Sequence, residues 1–264
     1  MCALRYAGCE DGIWCSCMNL LISLLATILG VYAVLLALYF ATCGLVVWTS
    51  RRTRVPKIQE KKESRAQIQR DTRQSMISIG GISAMFGAGQ WMYQTLGWGI
   101  QAHEVSVMEM TLSFLISMIL FDTWFYWLHR LIHLRPFFRR VHVWHHMTAT
   151  PEVWSNNSDL LIDNCFLQSY WLVAHFLIPI APIVLFLHKL YDHVMGIIGH
   201  SGYEFAGKAC WPPSPLVSVT HHDQHHRFVN CNYATHFTFW DRLMGTLHPT
   251  HDAEVERNIC KSSL

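Results

Sequence analysis

The chain has 264 residues, 52% hydrophobic and 14% charged, against a usual charged share of about 25% in soluble domains. Lys and Arg number 20 and Asp and Glu 18, a formal net charge of +2 that leaves no electrostatic footprint for nucleic acid. An ordinary soluble domain is excluded, and the composition reads as an all-α integral membrane helical bundle.

From Gly12 to Ser50 the chain carries no Asp, Glu, Lys or Arg, and from Gln74 to His103 again none. Both stretches exceed the roughly 20 apolar residues that cross a bilayer core. The first block, about Met18 to Trp48, is too long for a signal-peptide core and lacks a basic n-region, so it is expected to be retained. Four cysteines precede it (Cys2, Cys9, Cys15, Cys17), and the nine in the chain form no CxxC pair, so cysteine spacing assigns no metal or redox site.

Residues 51–73 carry nine Lys/Arg against Glu60, Glu63 and Asp71. Positive loops stay cytoplasmic, which places this one inside and the amino terminus on the far side. The segment reads as solvated and lying on the headgroups. Further apolar blocks follow at about 75–99, 107–128 and 165–200, the last interrupted by Pro179 and Pro182 and read as a hairpin of two shorter spans. The prediction is about four to five spans with a cytoplasmic histidine-rich helical cap. Its divisions are an anchor region with the basic loop (1–106), a catalytic region (107–250) and a tail (251–264).

The third block ends at "HRLIHLRPFFRRVHVWHH" (129–146). His129 and His133 are four apart and share one helical face, and His142, His145 and His146 sit at i, i+3 and i+4. "HHDQHHRF" (221–228) repeats the second pattern with His222, His225 and His226. One such pair is weak evidence, but eight imidazoles in three clusters on one predicted membrane face point to metal, for which imidazole is the commonest protein ligand. An all-imidazole set suits iron, zinc, copper or nickel. A structural zinc site closes with four ligands and needs no eight. Asp122, seven before His129, is an acid at the edge of an apolar span, and such acids are usually functional. It joins Asp223 and Asp241 as a candidate to accept the outward N–H of a ligating imidazole.

At "DTWFYWLHRLIH" (122–133), "HVWHH" (142–146), "GHSGYEF" (199–205) and "HHDQHHRFVNCNYATHFTFWDRLMGT" (221–246) the chain resembles the fatty acid hydroxylase/sterol desaturase superfamily of membrane di-iron enzymes. The resemblance covers roughly residues 107–248. It implies iron ligands at His129, His133, His142, His145, His146, His222, His225 and His226, a further ligand at His200, and His193 as a candidate tenth. His221 is expected beside the ligands rather than among them, and His103, His175, His188, His236, His248 and His251 are expected to have no site role. The resemblance further implies two irons per chain, O2 as co-substrate and a lipid entering from the bilayer, hydroxylated or desaturated, with a slight lean to hydroxylation. It implies a separate electron donor, of cytochrome b5 or ferredoxin type with its reductase, since no GxGxxG or cytochrome-b5-like segment is present. A eukaryotic member is expected in the endoplasmic reticulum membrane. Trp124, Phe125, Tyr126 and Trp127 either line the lipid path or pack at the membrane interface. Two other readings stand beside this one: a non-enzymatic membrane protein that binds metal or haem, and a family member that has lost activity.

Overall fold

A computed structural model describes residues 7–53, 55–60, 63–102, 106–205 and 207–262, with side chains from Trp14 onward. Cys2, the Cys9 side chain and His103 lie outside what is described. Three long helices come first: α1 (Ala7–Arg52), α2 (Arg65–Leu96) and α3 (Val107–Ile132). Short helical turns follow at α4 (Arg135–Phe137), a π-helical turn (Phe138–His142) and α5 (Val143–His146). Then come α6 (Leu161–Leu167), α7 (Tyr170–Leu177), α8 (Pro182–Gly199), α9 (Val219–Phe228), α10 (Phe239–Leu243) and α11 (His251–Ser262). No β-strand occurs among the described residues, as an all-α fold requires.

Local chemistry sets the ends. Ser64 Oγ accepts from Gln67 N–H to start α2, and Gly97 at φ 68° ends it in the left-handed conformation, where a Cβ is penalised. Ser106 and Glu109 close a capping box at the start of α3. The break expected inside block 165–200 falls between Leu177 and Pro182, with the proline in the first turn of α8.

Val31, Leu35, Tyr39, Cys43 and Val46 of α1 recur at intervals of three or four and join Ile79, Ile82 and Phe86 of α2, Phe121 of α3, Trp171 of α7 and Leu185 of α8 in one core. Residues 1–106 and 107–250 therefore share a core. The tail is itself the helix α11, seated by Val255 and Ile259 and by an Asn258 Nδ2–Thr220 Oγ1 hydrogen bond of 3.0 Å.

Two helices, Trp14–Arg52 and Val107–Ile132, are long and apolar enough to cross a membrane. Their outer faces carry exposed Leu21, Ile22, Leu25 and Leu29 on α1 and Leu112, Leu115, Ile116 and Ile119 on α3, an apolar surface that lipid rather than water would cover. The chain is a membrane protein by this surface. Block 75–99 is helical but buries Ser75, Ser78, Ser83 and Gln90.

The basic loop does not lie loose on the headgroups. Lys57 pairs with Glu152, Ile58 N–H donates to Gly202 O at 2.9 Å, and Gln59 Nε2 donates to Asp223 Oδ2 at 3.0 Å. Polar side chains alternating with the cations give this loop specific partners on the histidine-bearing segments, which overrides free solvation.

Candidate metal centre

Nine histidines from four segments converge in two groups. Ligand-capable atoms of His129, His133, His142, His146 and His225 form one, and those of His145, His200, His222 and His226 the other; within each group the atoms lie within 4.8 Å of one another. The two HxxHH patterns do not each present a single face, as the spacing suggested. His142 and His146 join one group and His145 the other, whereas His225 joins the first and His222 and His226 the second. Residues three and four after a given position lie on either side of it, about 100° apart, so each box straddles the gap and feeds both groups.

The outer nitrogens fix the rings. His129 Nδ1–H donates to Tyr233 O at 2.7 Å, His225 Nδ1–H to Cys231 O at 2.7 Å and His226 Nδ1–H to Thr148 O at 3.0 Å. A carbonyl only accepts, so these three rings carry their proton on Nδ1 and a lone pair on Nε2. Ser155 Oγ gives its one proton to Glu152 O at 2.8 Å, so it accepts from His200 Nδ1–H at 3.0 Å. His142 Nδ1 lies 2.8 Å from Asp163 Oδ2, and His145 Nδ1 lies 2.6 Å from Asp159 Oδ1. Inside, the Nε2 atoms of His129 and His142 face each other at 3.2 Å, and those of His222 and His226 at 3.1 Å. His129 and His226, with their protons held on Nδ1, each turn an Nε2 lone pair inward, where a cation would be held. The buried Nε2 of His225 and both ring nitrogens of His146 have no hydrogen-bond partner. The donor set thus fits a pair of imidazole-bound cations.

Burial pushes the imidazoles of His142, His146, His200, His222, His225 and His226 well below the ordinary histidine range, and neighbouring histidines push the same way. They are neutral near pH 7, the form that ligates.

Several expectations need correction. His193 stands outside both groups: it donates from Nε2 to Leu35 O at 3.1 Å, because α8 turns its ring toward α1. Asp122 touches no metal-group imidazole. Its Oδ1 accepts from the backbone N–H groups of Thr235, His236 and Phe237 at 3.1, 2.7 and 3.2 Å, clamping the loop after the third box. Asp223 takes Gln59, not a histidine, and burial raises its carboxyl to about 6. Asp241 accepts from Tyr233 N–H and Ala234 N–H, both at 2.9 Å, and lies 3.1 Å from Nε2 of His221, which is in neither group, so it orders the same loop. The carboxylates that do meet the outward nitrogens, Asp159 and Asp163, are not anticipated by the sequence reading. Their one signal is a pair of acids four apart in the apolar stretch "SDLLIDNCFL".

A cavity of about 400 Å³ opens beside the groups, reached by His129, His142 and His145 and by Phe125. Of the four aromatics in the first box only Phe125 lines it. Trp124 bonds Ser169, Tyr126 packs on Trp240, and Trp127 is partly exposed.

Nine converging imidazoles on an all-helical frame with a lipid-facing surface narrow the choice to membrane proteins with a polyhistidine centre. The family model for fatty acid hydroxylase matches residues 114–246, half of the chain, and the chain belongs to that family. Mouse (Mus musculus) cholesterol 25-hydroxylase is 29% identical over 153 residues, 55% of this chain and 49% of that protein. Human (Homo sapiens) lathosterol oxidase is 30% identical over 139 residues, 52% and 46% of the two chains. Methylsterol monooxygenase erg25A of Aspergillus fumigatus is 31% identical over 157 residues, 56% and 51%. The chain aligns with about half the length of the curated relatives it matches. No solved structure matches it.

Proposed function

We propose that the chain is an O2-dependent membrane oxidoreductase that hydroxylates, or desaturates, a lipid at a centre of two irons held by the nine histidines. The observation that carries this reading is the division of both HxxHH boxes between two groups of facing imidazole nitrogens, among which the buried Nε2 of His225 and both ring nitrogens of His146 have no hydrogen-bond partner. Five ligand atoms within 4.8 Å of one another fill the positions a haem macrocycle would need, which disfavours the haem reading. Two irons, when bound, supply the reduction of dioxygen and the removal of hydrogen from an unactivated C–H bond.

The chain's own residues do the rest. Tyr233, Cys231 and Thr148 carbonyls hold the Nδ1 protons outward and so aim the Nε2 lone pairs, and Asp163 against His142 and Asp159 beside His145 orient those two rings. Asp122 and Asp223 act at one remove, by fixing the segments that carry these partners. Phe125 and the apolar wall of the cavity keep bulk water from the reacting carbon. The lipid arrives from the bilayer, and electrons come from a separate cytochrome b5- or ferredoxin-type donor with its reductase. Four to five spans with the histidine cap on the cytoplasmic side place donor and site together, in the endoplasmic reticulum if the source is eukaryotic. Residues 107–250 carry the chemistry and 1–106 the anchoring.

The test supplies iron-loaded chain in detergent with a membrane lipid extract, a reducing system and ¹⁸O₂. Hydroxylation adds one ¹⁸O to a lipid, and desaturation removes two hydrogens without label. No oxidised lipid from a preparation carrying two irons refutes the oxygenase reading.

A further inference from the structure

The cavity has a polar end that the metal chemistry does not use. Lys189, Asp192 and Gly196 follow one face of α8 toward His200, which caps its C-terminus, and all four line the cavity. Lys189 is buried; its Nζ donates to Asp192 Oδ2 at 2.7 Å and to Gln168 Oε1 at 3.0 Å, and lies 4.7 Å from the centre of the Trp171 ring. Across from it the buried His236 also lines the cavity. Its Nε2 has no hydrogen-bond partner and sits 3.9 Å from Asp192 Oδ1. A buried ion pair is seldom worth more than apolar side chains of the same size, so packing alone does not explain it.

We propose that this end binds the hydroxyl of a neutral lipid alcohol, which lies lengthwise in the cavity with its reactive carbon at the histidine groups. The inference rests on the cavity being the substrate chamber of the proposed oxygenase. An ammonium has three protons, of which Lys189 uses two on Asp192 and Gln168. One remains for a ligand oxygen, and His236 Nε2 and Asp192 Oδ1 face the same space. A hydroxyl both accepts and donates, so it satisfies Lys189 or His236 on one side and Asp192 on the other. A carboxylate or phosphate brings a second negative charge to Asp192, and an ether or ester cannot donate to it. The site therefore selects an alcohol over a free fatty acid or an alkylated analogue.

The same helix gives the scale. Lys189 and Asp192 precede His200 by 11 and 8 residues, about 16 and 12 Å at 1.5 Å per residue. The oxidised carbon is then remote from the hydroxyl, not adjacent to it. A rigid polycyclic lipid with a short tail has this length.

The test measures binding to the full chain in detergent, using a fluorescent polyene sterol with a free hydroxyl, its O-methyl ether, and a polyene fatty acid. The alcohol is expected to bind about tenfold or more tighter than either competitor, the factor expected from hydrogen bonds to charged groups. The double variant Lys189→Met/Asp192→Leu, which removes both charges together, is expected to lose that preference. Equal binding of ether or acid, no binding of the alcohol, or a preference that survives the double variant overturns the proposal. Iron per chain is counted on the same samples. Two irons without an alcohol preference sink this inference alone, and an alcohol preference without iron keeps the hydroxyl site but sinks the oxygenase reading and, with it, the placing of a reactive carbon at the histidines. Mapping ¹⁸O in a product gives a second check, since label next to the original hydroxyl contradicts the lengthwise pose.

Discussion

Among single residues, His142 and Asp163 carry the most information. The imidazole is 1% exposed and the carboxylate fully buried, and they meet at 2.8 Å. Removing such an outward partner lets a ligating ring turn and typically costs about 10- to 100-fold in metal affinity. Asp163→Ala is therefore expected to raise the iron dissociation constant by about that factor, read by competition with a chelator, while the same change at exposed Asp252 leaves it unchanged. Protons compete for the same nitrogens. The buried imidazoles have folded pKa values below the unfolded value of about 6.5, so below that pH the unfolded chain takes up protons that the native chain refuses. The imidazole contribution is fully present above about pH 6.5 and is lost on acidification; Asp163 and Asp223, raised by burial to about 9 and about 6, work the other way but are outnumbered, so a net loss between about pH 6.5 and 5 is expected in thermal melts of metal-free protein. A melting temperature that rises on acidification contradicts the burial of neutral imidazoles. All nine grouped histidines were legible in spacing and motif, because metal ligation demands a residue type. Asp159 and Asp163 were not, because a hydrogen-bond acceptor can come from any segment that reaches, and here carbonyls serve as often as carboxylates.

Among the elements, the loop after α9 is held from two sides. Asp122 on α3 accepts three consecutive backbone N–H groups from it, and Asp241 takes two more, which sets the Tyr233 carbonyl against His129. Asp122→Ala orphans three donors, of which the His236 N–H is buried, at about 1–3 kcal/mol for each one left dry. The expected outcome is a lower melting temperature together with weaker iron retention; unchanged stability would show the clamp to be idle. Helix packing gives a separate test. A Cβ on Gly89 of α2 would sit 2.7 Å from the Trp171 carbonyl of α7, so Gly89→Ala forces the two helices apart at a cost of about 1–3 kcal/mol, again readable as melting temperature. The proline break before α8 was readable from ring chemistry, whereas the start of α2 at Arg65 was not, because its Ser64 cap lies inside the charged loop, before the apolar block at 75–99 begins. The π-helical turn at Phe138–His142 was not, since nothing in "FRRVH" marks it, nor was the seating of the basic loop, whose partners are distant in sequence.

Across the whole molecule, one core joins α1 and α2 to α7 and α8, so the helices on either side of residue 106 pack as one unit. Deleting residues 1–64 strips Tyr39, Cys43 and Val46 from that core, and the remainder is expected to aggregate in detergent size-exclusion chromatography instead of running as a compact species. The first charge-free stretch announced a helix apolar enough to cross a membrane, whereas the second falls in α2, which buries serines and is not one of the two such helices; the partition of the histidines between two groups depends on how α3, α5, α8 and α9 meet and is invisible in any one segment. Everything proposed for the site requires these segments to share two cations. Metal quantification by mass spectrometry on the purified chain decides this, paired with the His142→Ala and His222→Ala variants, one from each group. The expected finding is two irons per chain, falling to about one in either variant; one haem, or a folded chain that binds no metal, would refute it.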